Sequence, residues 1–169
     1  IVYGTKDESS IARYKRYATW LANDLYLTGH YAIQVIADKD LQTSEASEYN
    51  LILLGSVQDN SWIKKLNPTF PIDLQEDKIT LGRHNFEGKG VGAIFLSPWE
   101  KQLALVVTGL DEQGFSSAFS YFPLHTGVTL PDFIIMGDTF PWAGDAGILA
   151  AGYWSNEWGI DDRIMYIAA

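Results

Sequence analysis

The sequence predicts one open α/β domain with three layers and a mixed β-sheet, covering residues 1–169. Apolar runs of strand composition alternate with a segment of helical apolar spacing, as expected where helices pack on a sheet. Two later apolar runs are joined by only a few residues, which permits an antiparallel but not a parallel connection. No internal repeat or low-complexity linker divides the chain, whose length suits one domain.

The N-terminal segment predicts a strand followed by an amphipathic helix. Residues 1–5 are mostly β-branched or aromatic, which is typical of a short strand. Ser9 or Ser10 is suited to cap the helix that follows. Residues 11–28 place apolar side chains every three or four positions, and Gly29 predicts the end of the helix.

The next part of the chain adds strands of two kinds. Residues 31–37 predict a second strand, and the apolar run 51–54 predicts a strand buried on both faces, as in a parallel sheet. Asp59 or Asn60 is suited to cap a short helix. Residues 72–90 alternate charged and apolar residues between glycines. This pattern predicts one or two exposed strands and permits a hairpin at the sheet edge.

The second half of the chain predicts antiparallel strands. Residues 91–96 and 103–108 form a pair across a tight turn, Asp111 is suited to cap a helix, and residues 132–136 predict the last clear strand. The parallel first half predicts a flavodoxin-like or Rossmann-like, doubly wound arrangement. The whole is therefore expected to be parallel in its first half and antiparallel in its second.

Composition excludes several classes of function. The formal net charge of −9 disfavours a nucleic-acid partner, because a phosphate backbone would be repelled. The chain has no cysteine, so it forms no disulfide, thiolate metal site or thiol nucleophile. No apolar run approaches the roughly 20 residues of a membrane-spanning helix. We expect no nucleic-acid partner and no membrane span in this segment.

Catalytic and cofactor motifs are also missing from the sequence. There is no G-x-S-x-G nucleophile motif, and His30, His84 and His125 show no metal-ligand spacing. The glycine-rich run 88–93 lacks dinucleotide-binding spacing and leads into a strand rather than a helix. We therefore expect no catalytic residue, no metal and no cofactor in this segment.

The loop between the first strand and the first helix is one candidate ligand site. In doubly wound folds this position binds phosphate or flavin through backbone N–H groups and the helix dipole. Asp7 and Glu8 argue against an anion and favour a simple capped helix. The residues suited to ligand contact are Gly4, Thr5, Ser9 and Ser10.

Aromatic residues near the C-terminal end are a second candidate. The residues concerned are Trp142, Tyr153, Trp154 and Trp158, interleaved with glycines. Three interpretations stay open: the rings cover the domain's own core, they pack on an adjacent domain, or they stack on sugar rings.

Five segments together resemble the domain that follows the α/β-hydrolase domain in large prolyl-oligopeptidase-like proteins of fungi. They are residues 2–5 (VYGT), 18–22 (ATWLA), 50–55 (NLILLG), 131–135 (PDFII) and 147–154 (GILAAGYW). The resemblance implies a secreted parent whose nucleophile lies in the preceding domain. This chain would then be a non-catalytic accessory domain whose partner is a neighbouring domain of the same protein. A strand at the first residues likewise leads us to expect a fragment of a larger protein.

Overall fold

The computed structural model describes residues 1–122 and 130–168. The strands in these residues are β1 (Val2–Tyr3), β2 (Ile36–Ala37), β3 (Leu51–Leu54), β4 (Asp73–Leu74), β5 (Lys78–Leu81), β6 (His84–Glu87), β7 (Gly92–Trp99), β8 (Gln102–Gly109), β9 (Phe133–Met136), β10 (Ile148–Gly152) and β11 (Met165–Ile167). The α-helices are α1 (Glu8–Gly29), α2 (Thr43–Ala46), α3 (Ser61–Leu66), α4 (Glu112–Phe119) and α5 (Phe140–Ala143). Short 3₁₀ turns lie at Asn67–Thr69 and Gly144–Gly147.

The described residues form an eight-stranded mixed sheet in the order β11-β10-β9-β7-β8-β3-β1-β2. Strands β2, β1, β3 and β8 are parallel neighbours, whereas every pairing from β8 to β11 is antiparallel. The predicted α/β class and mixed sheet are therefore confirmed. The carboxyl ends of β1, β2, β3, β8 and β9 meet at one margin, which we call the carboxyl edge.

Both faces of the sheet are buried, because successive side chains of its central strands enter different apolar clusters. Leu53 of β3 packs with Trp62 and Ile63 of α3 and with the separate three-stranded sheet β4-β5-β6. Leu54, its neighbour, packs on the other face with α1 and α4. The period of two along a strand explains this division. Burying each large apolar side chain contributes about 1.5–3 kcal/mol, so both layers stabilise the sheet.

Helix α1 begins earlier than predicted, and its cap is Asp7 rather than Ser9 or Ser10. The Asp7 carboxylate accepts a hydrogen bond from the Ser9 backbone N–H at 3.1 Å. The apolar periodicity starts only after the first exposed turn, so it indicates the buried face of the helix and not its first residue. The helix ends at Gly29 as predicted, and His30 takes the left-handed conformation at φ 57°.

Two further expectations need correction. Residues 31–37 were predicted to form one strand, but only Ile36–Ala37 pairs with β1. Residues 31–35 belong to no strand. Residues 72–90 form the separate sheet β4-β5-β6 instead of extending the edge of the main sheet. Their alternation of apolar and charged residues fits either arrangement, since both leave one face in solvent.

Candidate functional site

The carboxyl edge contains a topological switch point between β1 and β3. After β1 the chain moves to β2 on one side, and after β2 it returns to β3 on the other side of β1. Ligands of open α/β sheets commonly bind where connections diverge in this way. The loop at residues 4–7, which we call the first loop, and that at residues 55–60, the second loop, flank this point.

The two loops are in direct contact through their backbones. The Lys6 N–H donates to the Asp59 carbonyl at 3.0 Å, and the Gly4 N–H donates to the Leu54 carbonyl at 3.0 Å. A Cβ atom on Gly4 would lie 2.8 Å from the Asp59 carbonyl oxygen. Glycine is therefore required here for a close approach of two backbones, and the switch point is filled by the chain itself.

The Asp59 carboxylate organises the space between α1 and the second loop. The Tyr14 hydroxyl and the Ser56 hydroxyl both donate to Asp59 Oδ2, each at 2.8 Å. Ser56 Oγ also accepts from the backbone N–H of Asp59 at 3.1 Å. Burial, together with the hydrogen bond to Asp59, raises the pKa of Tyr14 above its usual value. Tyr14 is thus a neutral donor, and the Ser56 hydroxyl, which donates to the same carboxylate oxygen, also accepts from the Gln58 N–H at 3.2 Å.

Asp38, which follows β2, is a buried carboxylate at this edge, whereas Asp59 is half-buried. Its Oδ1 accepts a hydrogen bond from the Thr5 hydroxyl, and its Oδ2 accepts from the Ser61 N–H at 2.7 Å. The indole N–H of Trp62 donates to the Asp38 carbonyl oxygen at 3.1 Å. Asp38 therefore ties the first loop to the start of α3.

The four residues predicted as phosphate or flavin contacts are all engaged within the protein. Gly4 is packed against the second loop, and Thr5 donates to Asp38, as described above. The hydroxyls of Ser9 and Ser10 both donate to Asp7 Oδ2 at 2.7 Å. The hydrogen bond from Ser9, and next that from Ser10, lower the pKa of Asp7. The start of α1 therefore carries a carboxylate. An anion would have to displace that carboxylate, and binding at this loop stays a prediction.

Two clefts lie beside the second loop. One, of about 210 Å³, is lined by Ser56, Glu76 and Thr108 among others. The other, of about 470 Å³, includes Lys6 and Lys64 together with carboxylates of both loops. Both mix charged and polar groups and offer few apolar contacts, unlike the mostly apolar sites typical of flavins and drug-sized ligands.

The predicted aromatic cluster is divided between the core and the surface. Trp154 is buried, stacks on Phe133 at 4.4 Å between ring centroids and donates its indole N–H to the Leu96 carbonyl at 2.8 Å. Trp158 is half-buried against the same cluster. Tyr153 and Trp142 are exposed, and Trp142 has 78% of its surface accessible. Of the four, Trp142 is the most available for a ligand or partner.

Trp142 lies at a wider cleft between α4 and α5. The cleft, of about 870 Å³, is also lined by Tyr17, Gln113, Ser116, Ser117 and Ser120. Sequence reasoning missed the α4 residues because serines in a helix carry no motif. The available signal was their spacing, since Ser116 and Ser120 are four residues apart and share a helix face.

No Ser-His-Asp arrangement or three-residue metal cluster is found in residues 1–122 and 130–168. His30 ends α1 and His84 lies in β6, where its ring accepts from Arg83 Nε at 3.5 Å. His125 lies outside the described residues. Within those residues, no group of three potential metal ligands occurs and no helix is long and apolar enough to cross a membrane.

A comparison with known proteins finds a relative in a fungus. The chain is 38% identical over 130 residues to a protein of Arthroderma benhamiae named "Uncharacterized secreted protein". The alignment covers 76% of this chain but only 14% of that relative, so the chain spans a small part of the protein it matches. No protein-family model and no solved structure matches the chain.

Proposed function

We propose that this chain is a non-catalytic accessory domain of a larger secreted protein and that it packs against a neighbouring domain of the same polypeptide. The much greater length of the fungal relative supports the first part, and the relative's name supports secretion. The observation that carries the docking proposal is an exposed apolar surface at the C-terminal half of α1.

This surface, which we call the α1 patch, consists of Trp20, Tyr26, Leu27 and Tyr31. Leu27 is 76% exposed and Tyr31, just after the helix, is 64% exposed. Trp20 and Leu27 are seven residues apart and thus project from the same side of the helix. Large apolar side chains grouped on one surface commonly mark a protein contact, and burying one contributes about 1.5–3 kcal/mol.

The proposal also concerns the kind of protein to which this chain belongs. The segments that resemble prolyl-oligopeptidase-like proteins favour a serine-hydrolase parent. The parallel order β2-β1-β3-β8 matches the start of the flavodoxin-like strand order, which supports that fold for the parallel half.

The hydroxyls of Tyr14 and Ser56 both donate to a carboxylate, which is consistent with a structural role at this edge.

Oxidative footprinting of the full-length parent protein tests the docking. Trp20 is 44% exposed and Trp142 is 78% exposed in this chain, and they lie on different helices, so Trp142 serves as the internal reference for Trp20. We expect the parent to protect Trp20 strongly relative to the isolated chain and to leave Trp142 accessible. Equal oxidation of Trp20 in the two proteins would refute docking through the α1 patch.

The hydrolase relationship is tested separately. We expect a G-x-S-x-G motif in the polypeptide that precedes this chain, and we expect the chain alone not to hydrolyse model esters or peptides. Enzyme-like turnover by the purified chain would refute the non-catalytic role. A parent without a nucleophile motif would refute only the hydrolase part of the proposal.

A further inference from the structure

The cleft between α4 and α5 combines a flat aromatic ring with several hydroxyl groups. The indole of Trp142 projects into solvent from α5 on one side. Ser116 and Ser120 line the α4 side, and the Tyr17 hydroxyl, which donates to Ser116 Oγ at a long 3.4 Å, adds a third polar group. Such a surface offers both stacking and hydrogen bonds to one ligand.

The walls of this cleft are held in place before any ligand binds. The Gln113 side-chain amide donates to the Asp138 carbonyl at 3.1 Å and so connects α4 to the segment that leads into α5. Tyr121 stacks on Phe140 with ring centroids 5.6 Å apart. A Cβ atom on Gly147 would lie 2.4 Å from the Phe140 backbone, so the turn after α5 is packed tightly against it. A preformed site loses little entropy on binding.

Ser117 supplies an independent indication of a ligand. This residue lines the cleft and is buried, yet its hydroxyl has no hydrogen-bond partner in the part of the chain that the structure describes. Buried hydroxyls are nearly always paired, because an unpaired one has lost its hydration without compensation. The Ser117 Oγ atom is almost inaccessible to solvent, so a polar group of a bound ligand would become the missing partner after the Ser117 side chain rotates towards the cleft.

We propose that this cleft binds a neutral oligosaccharide, with a pyranose ring stacked on Trp142. A pyranose has an apolar C–H face that suits an exposed indole, and its hydroxyls both donate and accept, which matches the serine hydroxyls of α4. The charge of the site argues against an acidic sugar. The Glu112 carboxylate at the cleft is paired with Arg13 at 2.8 Å, so the argument depends on the formal net charge of the chain, which is −9. The volume of about 870 Å³ lies within the usual range for small-molecule sites.

The test is calorimetric titration of the intact chain with four neutral probes: cello-, laminari-, manno- and chitohexaose. We expect saturable binding of at least one probe and a loss of about tenfold or more in affinity for Trp142→Ala, as for an aromatic anchor. Tyr49→Ala, a change of another exposed aromatic residue that belongs to neither proposed surface, is the matched control and should leave affinity unchanged.

Ser117→Ala separates a ligand contact from a structural role. Because its hydroxyl is unpaired in the described structure, removing it should maintain or raise the melting temperature while it weakens binding of the same probe. The proposal is overturned if none of the four probes binds at millimolar concentration, if Trp142→Ala binds as well as the unsubstituted chain, or if Tyr49→Ala weakens binding equally. None of these results bears on docking through the α1 patch.

Discussion

Replacing Asn60 by alanine should destabilise the fold more than the same replacement of an exposed asparagine, because Asn60 connects three elements at the switch point. The residue has no accessible surface. Its side-chain carbonyl accepts from the N–H groups of Trp62 and Ile63 at 2.9 and 3.2 Å and so caps α3. Its amide donates to the carbonyls of Val2 and Leu54 at 3.2 and 3.0 Å, which connects that cap to β1 and β3.

The expected cost follows from these four hydrogen bonds. Loss of an N-cap side chain costs about 1 kcal/mol, and leaving buried polar groups without a partner costs about 1–3 kcal/mol more. We therefore expect Asn60→Ala to lower the free energy of unfolding by about 3 kcal/mol, which for a domain of this size corresponds to a melting temperature lower by about 6–12 °C.

Urea unfolding at neutral pH, followed by circular dichroism, measures the effect. Asn50→Ala is the matched control, because Asn50 is exposed and makes one hydrogen bond, from the Leu103 N–H at 2.9 Å. It should cost about 1 kcal/mol or less. If the two substitutions had equal effects, or if Asn60→Ala cost about 1 kcal/mol or less, Asn60 would not be the structural link inferred above.

Three further outcomes are expected. Gly114→Ala should lower the free energy of unfolding by about 3 kcal/mol or more in urea titrations, because its Cβ would lie 2.0 Å from the Val91 carbonyl oxygen. Trp154→Phe retains an aromatic ring but leaves the Leu96 carbonyl without the indole donor, and should lower the melting temperature with a cost of about 1–2 kcal/mol. Burial raises the folded-state pKa of Tyr14 above the usual tyrosine value of about 10, so its stabilising effect is present below pH 10 and is lost as pH rises towards the folded-state pKa. Tyr14→Phe should therefore flatten the fall in stability above that pH, measured by urea unfolding across alkaline buffers; an unchanged slope would contradict this.

Local patterns in the sequence predict the sheet and its longest helix well. The apolar run of β3 is buried on both faces, as its composition indicates, and the short link after Trp99 produces the antiparallel pairing of Trp99 with Gln102. The cap at Asp111 is confirmed, since its carboxylate accepts from the Gly114 N–H at 2.8 Å. These features depend on contacts between near neighbours in sequence, and local composition and spacing predict such contacts.

The candidate sites depend on contacts between distant residues, which is why sequence reasoning recovered them only in part. Tyr14 and Asp59 are 45 residues apart, and neither belongs to a motif. The loop at residues 4–10 was identified as a possible ligand site, but the pairing of Thr5 with Asp38 could not be inferred across 33 residues. Trp142 was identified from composition alone, and its cleft depends on α4, which a different part of the chain supplies.

The C-terminal part of the α1 patch and the cleft at Trp142 lie at different ends of the same helical layer. Tyr17, near the middle of α1, lines the cleft, whereas Leu27 in the α1 patch is ten residues later, about 15 Å further along the helix axis. Trp142 follows β9 at the carboxyl edge, and α1 runs from that edge towards the opposite one. Leu27 and Tyr31 therefore lie at the end of α1 away from that edge, whereas Trp20 of the same patch packs on Phe119 of α4 with ring centroids 5.6 Å apart.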